Sequence, residues 1–174
     1  MINAELKRLA HLLNDMQDQN DLPETATDFD IVLLLCDLVT LVRYQIPKTI
    51  CLEVTASEPF MVHLPEQTFR QAILNLVLNA AEALSSKKSG HISINLFRPK
   101  SGLLVQVLDN GAGFSQMFLA DGIPKLSADK QDNEDTGLVM TEKFINRMGG
   151  SIKLGNHFPC GAAVTILLPE RSLR

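Results

Sequence analysis

Cysteine is scarce and scattered. Cys36, Cys51 and Cys160 are the only three in 174 residues, and nothing in their spacing suits a metal site. An odd count in apolar surroundings predicts reduced, buried thiols and a cytoplasmic compartment, and leaves no disulfide framework to expect. Long hydrophobic runs are missing too. None approaches the roughly 20 residues that span a bilayer, and no secretory leader is visible. The expectation is a chain without a membrane segment, even where a parent protein is membrane-anchored. Positive charge is in deficit: 16 Lys and Arg stand against 20 Asp and Glu, for a formal net charge of −4 and a pI near 5.5. That balance argues against nucleic acid as a partner. No internal repeat is present. The length suits one domain with a short appendage, and 45% apolar residues are ample for its core.

The most informative stretch runs from Gln71 to Leu84, rich in Leu and Ala and free of Gly and Pro. It predicts a helix. On a wheel at about 100° per residue, Phe69, Ala72, Ile73, Leu76, Ala80 and Leu84 fall on one side. Gln71, Asn75, Asn79 and Glu82 form a narrow polar stripe on the other, flanked by the apolar Leu74, Val77, Leu78 and Ala81. The helix is therefore expected to be buried nearly all round, with one polar seam. Two amides at i and i+4 project side by side, and a buried amide is costly unless partnered. Hydrogen bonds to neighbouring backbone would account for them if the helix stood alone.

Downstream, Val105-Gln-Val-Leu-Asp109-Asn110-Gly111-Ala112-Gly113-Phe114 is an apolar strand that ends in an acid and a Gly-x-Gly turn. Glycine lets backbone approach a ligand closely. A strand-end carboxylate can accept from an exocyclic amine, although Asp-Asn-Gly alone signals only a turn. In this order the two segments, Asn-Leu-x-x-Asn-Ala-x-Glu-Ala and Asp-x-Gly-x-Gly, resemble the N box and G1 box of the gyrase, Hsp90, histidine kinase and MutL ATPases. The resemblance is greatest to the ATP-binding catalytic domain of a bacterial sensor histidine kinase and covers roughly residues 28 to 169.

That resemblance implies a Bergerat-type fold, with a mixed sheet and helices on one face. It implies ATP and Mg²⁺ as cofactors. Asp109 would accept from the adenine amino group, Gly111 and Gly113 would shape the adenine pocket, and Asn79 would ligate Mg²⁺. Asn75 lies one turn earlier, where hydrolytic relatives carry a Glu base; an amide cannot take a proton from water. The family's second glycine box corresponds to Asp135-Thr136-Gly137-Leu138-Val139-Met140, in which only Gly137 remains. Thr136, Gly137 and Leu138 would face the phosphates, with Val139 adding bulk and Asp132, Glu134 and Asp135 adding negative charge. Pro124-Lys-Leu-Ser-Ala-Asp-Lys130 weakly resembles the lid motif. Lys130 reads equally as a phosphate contact or a solvated loop lysine. Glu82 and His63 read as structural.

The reaction implied is transfer of the γ-phosphoryl of ATP to a His on a dimerisation hairpin not present in this chain, with no catalytic side chain assigned here. The partners implied are that phosphoacceptor hairpin domain, a response regulator and, in the full-length protein, a second copy of the kinase. Two other readings stay open: a non-enzymatic pseudokinase that scaffolds a phosphorelay, and an anti-sigma-factor serine kinase.

Along the rest of the chain, residues 3–19 carry Leu6, Leu9, Ala10, Leu12, Leu13 and Met16 at helical spacing. Pro23 ends that pattern. Residues 1–27 are thus expected to be the tail of a hairpin helix and its linker, and 28–174 the ATP-binding domain. His11 reads as a helix-surface residue. A short strand and an amphipathic helix are expected across 28–43, and short strands at 49–54 and 60–63. Pro65 opens the helix that carries the amide pair. Strands 90–97 and 102–108 form a hairpin, as do 151–154 and 162–168. A helix spans 136–148 with Gly149-Gly150 as its cap. The polar stretch between Phe114 and Thr136 reads as a long loop, a functional lid. Strands and helices segregate into a two-layer α/β (α+β) sandwich.

Overall fold

Alternating burial defines the sheet in the computed structural model, which describes residues 24–123 and 136–173. Strands β1 (Thr27–Asp30) and β3 (Met61–Leu64) form an antiparallel pair of their own. The main sheet has five strands in the order β2 (Ile50–Ala56), β4 (Gly90–Phe97), β5 (Gly102–Asp109), β7 (Ala162–Pro169) and β6 (Ser151–Asn156). Only β2–β4 is parallel; the remaining pairs are antiparallel, so the sheet is mixed. Because side chains alternate along a strand, Ile92, Ile94 and Leu96 of β4, Leu103, Val105 and Val107 of β5, and Val164, Ile166 and Leu168 of β7 all face one buried layer. They join a single apolar core with helices α1 (Ile31–Arg43), α2 (Glu66–Ala83) and α4 (Thr136–Arg147). The molecule is a two-layer α/β sandwich.

Each helix has an identifiable start. Asp30 caps α1, its side chain accepting from the Val32 and Leu33 N–H groups. Helix α2 begins one residue later than Pro65, which occupies the N-cap and has no side chain able to cap. The Glu24 carboxylate substitutes, accepting from Gln67 N and Thr68 N at 2.8 Å each and from Thr68 Oγ at 2.6 Å. This satisfies orphan donors and places negative charge at the positive end of the helix dipole. At the other end of α4, Gly149 takes φ +74° while the Gly150 N–H returns to Ile145 O at 2.9 Å, the glycine cap expected from the sequence.

Two expectations need correction. The stretch after Phe114 is not loop throughout: α3 (Gln116–Asp121) forms there, with the Ser115 hydroxyl accepting from Phe118 N at 3.1 Å and the Phe114 and Phe118 rings stacked at 5.3 Å. All three cysteines are exposed, not buried. Cys51 sits on the outward-facing register of β2, between the buried Ile50 and Leu52, and Cys36 lies on the outer side of α1. The expected helix over 3–19, His11 and the lid stretch 124–135 lie outside the described residues.

Candidate functional site

Asp109 continues the inward-facing series Leu103, Val105 and Val107 of the central strand. That parity aims its carboxylate into the helix-covered layer at the strand's end, where it is only 7% exposed. Its Oδ1 accepts from Gly111 N at 2.7 Å and from Ala162 N at 3.3 Å. Among the described residues, none donates to Oδ2. A Cβ at Gly111 would lie 2.7 Å from that same Oδ1 and 3.7 Å from Ala83 Cβ at the end of α2, so any side chain there would displace the carboxylate. The next residue is tied down as well. Asn110 Oδ1 accepts from His91 N at 2.8 Å, and Lys87 Nζ donates to Asn110 O.

The loop between β6 and β7 closes over this turn. His157 Nε2 lies 2.7 Å from Asp109 O. Asn156 brackets Phe114, accepting from its N–H at 2.7 Å and donating to its carbonyl at 2.9 Å. Gly161 has φ +126°, and a Cβ there would come within 1.7 Å of Asp109 O; only glycine permits this approach.

The second half of the site is the seam between α2 and α4. Gln71 and Asn75 are buried, 7% and 4% exposed. Gln71 Nε2 donates to Asn75 Oδ1 at 3.0 Å, while Asn75 Nδ2 is buried with no partner among the described residues. An unpaired buried donor costs about 1–3 kcal/mol. Asn79, half-buried, is one turn along. The first turn of α4 meets it there: a Cβ at Gly137 would lie 3.1 Å from both atoms of the Asn79 amide. Leu138 anchors that turn in the core, and Thr141 Oγ donates to Gly137 O at 2.8 Å. The first-turn N–H groups of a helix have no intrahelical acceptors, so this end of α4 offers donors and a positive dipole beside Asn79. Val139 is half-buried within the same turn.

The structure thus brings Asn75, Asn79, Gly137 and Leu138 together on the α2–α4 seam. Asp109, Gly111 and Gly113 meet at the end of β5, and Ala83 against Gly111 links the two halves. Thr136 opens α4; Lys130 lies outside the described residues. His63 pairs with Asp28 at 2.8 Å, away from this site. Sequence reasoning missed Asn156, His157 and Gly161. Only a Gly at the foot of a strand hinted at them, because their role depends on which strand ends up beside β5.

The arrangement can accept a hydrogen bond from an amine at Asp109 and receive an anion at the start of α4. Comparison with known proteins identifies the family. Residues 65–172 match the family of histidine kinase-, DNA gyrase B- and HSP90-like ATPases, and the chain belongs to it. Its relatives are sensor kinases. Sporulation kinase D of Bacillus subtilis (strain 168) is 29% identical over 118 residues, 68% of this chain and 23% of that protein. The chain therefore spans about a quarter of that relative's length. The mycobacterial sensor histidine kinase MprB superposes with a TM-score of 0.68 at 22% identity, covering 82% of this chain and 97% of that one. Histidine kinase ThkA, solved in complex with the response regulator protein TrrA, superposes with a TM-score of 0.72 at 20% identity, over 97% of this chain and 49% of the other. Among the described residues no helix is long and apolar enough to cross a membrane.

Proposed function

We propose that this chain is the ATP-binding catalytic domain of a two-component sensor histidine kinase, delivering the γ-phosphoryl of ATP to a His on a dimerisation hairpin. The observation that carries the reading is the Asp109 carboxylate: buried, held by two N–H groups on Oδ1, and with Oδ2 left to accept from an adenine amino group. The orphaned Asn75 Nδ2 suits the same ligand, since a nucleotide supplies acceptors that the protein does not. Asn79 fits Mg²⁺, a hard cation that takes oxygen ligands and draws most of its shell from phosphates and water. No group of three His, Cys, Asp or Glu side chains gathers as an alternative metal site among the described residues. The chemistry Mg²⁺ would supply there is neutralisation of charge on the phosphates. The chain's own residues grip the base at Asp109, Gly111 and Gly113 and present the α4 N-terminus, from Thr136 to Leu138, to the phosphate end. Positioning and charge neutralisation are most of what phosphoryl transfer asks of a protein.

Residues 1–27 belong in this reading to the end of the hairpin helix and its linker. The full-length kinase acts as a cytoplasmic homodimer unit with a response regulator as its downstream partner. Calorimetric titration of the chain with ATP and Mg²⁺ tests the proposal. Saturable binding is expected, and absence of binding at millimolar nucleotide would leave the fold with a role in protein contacts alone.

A further inference from the structure

We propose that His157, on the loop between β6 and β7, is a positioning residue for Asp109 and sets the preference for a base with a 6-amino group. The inference rests on the nucleotide-site reading above. Both ring nitrogens face main-chain carbonyls, which only accept: Nε2 lies 2.7 Å from Asp109 O and Nδ1 3.2 Å from Phe158 O, on the neighbouring residue. A neutral ring has one proton, and the shorter contact assigns it to Nε2. The loop that carries the ring is braced: His157 N donates to Gly161 O at 3.1 Å. From that brace the next residue, Ala162, sends its N–H to Asp109 Oδ1 at 3.3 Å. One loop therefore holds Asp109 by its main chain and by its side chain. On the preceding residue Asn156 holds Phe114 at both backbone groups, at the far end of the glycine turn.

The consequence is directional. With the main-chain carbonyl and Oδ1 both fixed, the aim of Oδ2 is fixed too, and hydrogen bonds weaken steeply when misaligned. An aimed carboxylate oxygen pairs with the 6-amino group of adenine. Against the 6-oxo group of hypoxanthine it sets one acceptor against another, the kind of mismatch that gives a polar site its selectivity. Releasing His157 lets Asp109 wander. The amino base then loses its partner, while the oxo base, which had none, loses little.

The test compares ATP with inosine triphosphate, each with Mg²⁺, on the whole 174-residue chain. A Gln side chain carries its amide N–H to roughly the place of Nε2, whereas Asn reaches only that of Nδ1. His157→Leu and His157→Asn are expected to weaken ATP about five- to tenfold, the scale of one net hydrogen bond, with the inosine nucleotide nearly unchanged. His157→Gln is expected to restore the wild-type ratio. Equal weakening of both nucleotides, or an unchanged ratio in the Leu and Asn variants, overturns the inference and leaves His157 a merely structural residue. Nitrogen-15 NMR of the wild-type ring supplies a check that needs no variant: the proton is expected on Nε2, and a ring protonated at Nδ1 alone also overturns it. A wild-type chain that binds neither nucleotide defeats the nucleotide-site reading first, and this inference with it.

Discussion

Asp109→Asn separates recognition from folding. The new amide can keep its oxygen on the Gly111 and Ala162 N–H groups, which hold Oδ1 in the wild type. Its NH₂ then replaces Oδ2 and meets the adenine amine donor to donor. Affinity for ATP is expected to fall by about 1–3 kcal/mol, the scale of a lost charge-assisted bond, with little change in melting temperature; calorimetry and a thermal scan together show both. Asn75 yields a second prediction. It lies where a hydrolytic site would need a carboxylate base, and its amide oxygen already accepts from Gln71 Nε2. Steady phosphate release from ATP should be negligible, and a rate abolished by Asn79→Ala would contradict this. At this scale the sequence reveals residues whose neighbours in the chain form a motif. Asp109 announces itself beside Gly111 and Gly113, and the amide pair by its helical spacing. His157 and Asn156 carry no such mark, since a polar residue in a turn acquires meaning only from the strand it folds against. The cysteines show the reverse error: Cys51 has apolar neighbours in sequence, but a period of two points them inward and the thiol out.

Among the elements, α2 depends on a residue far away in sequence. Glu24 caps it through three hydrogen bonds, and Pro65 provides no substitute. Glu24→Ala should cost about 1 kcal/mol, the ordinary value of a lost N-cap, or about 2–4 °C in melting temperature for a domain of this size. Nucleotide affinity should be nearly unchanged, because the cap is at the opposite end of α2 from Asn79. Circular dichroism melts and a nucleotide titration of the same sample check both halves of that statement. The elements themselves were largely legible, since period two and period 3.6 are local signals: among the described residues, strands and helices fall within a residue or two of where apolar spacing puts them. Helix α3 was not legible. It is six residues long and lacks buried residues, so its only sequence cues are Ser115 and the Phe114–Phe118 pair. Strand order was also hidden. Nothing local states that β2 runs parallel to β4 or that β7 inserts between β5 and β6, and it is that insertion which carries the His157 loop to Asp109.

Across the whole molecule, the base end and the phosphate end of the site are built from different layers. The first belongs to the sheet, at β5 and the β6–β7 loop; the second belongs to the helices, at α2 and α4. The two can therefore differ in quality. The sheet half is densely bonded around Asp109, whereas the helix half retains one close approach, Gly137 against Asn79. Val139 occupies the same first turn, half-buried, where a flexible glycine would let further N–H groups turn toward a triphosphate. The α4 N-terminus still offers its own first-turn donors, so β-phosphate contacts survive while added gain from the γ-phosphate is small. ADP and ATP are accordingly expected to bind within tenfold of each other, a difference under about 1.4 kcal/mol. Val139→Gly should strengthen ATP more than ADP. Because glycine inside a helix costs up to about 1 kcal/mol in stability, affinity and not melting temperature is the measure to use. A wild-type preference for ATP of tenfold or more would show a phosphate half that is complete as it stands, with Val139 no obstacle to it.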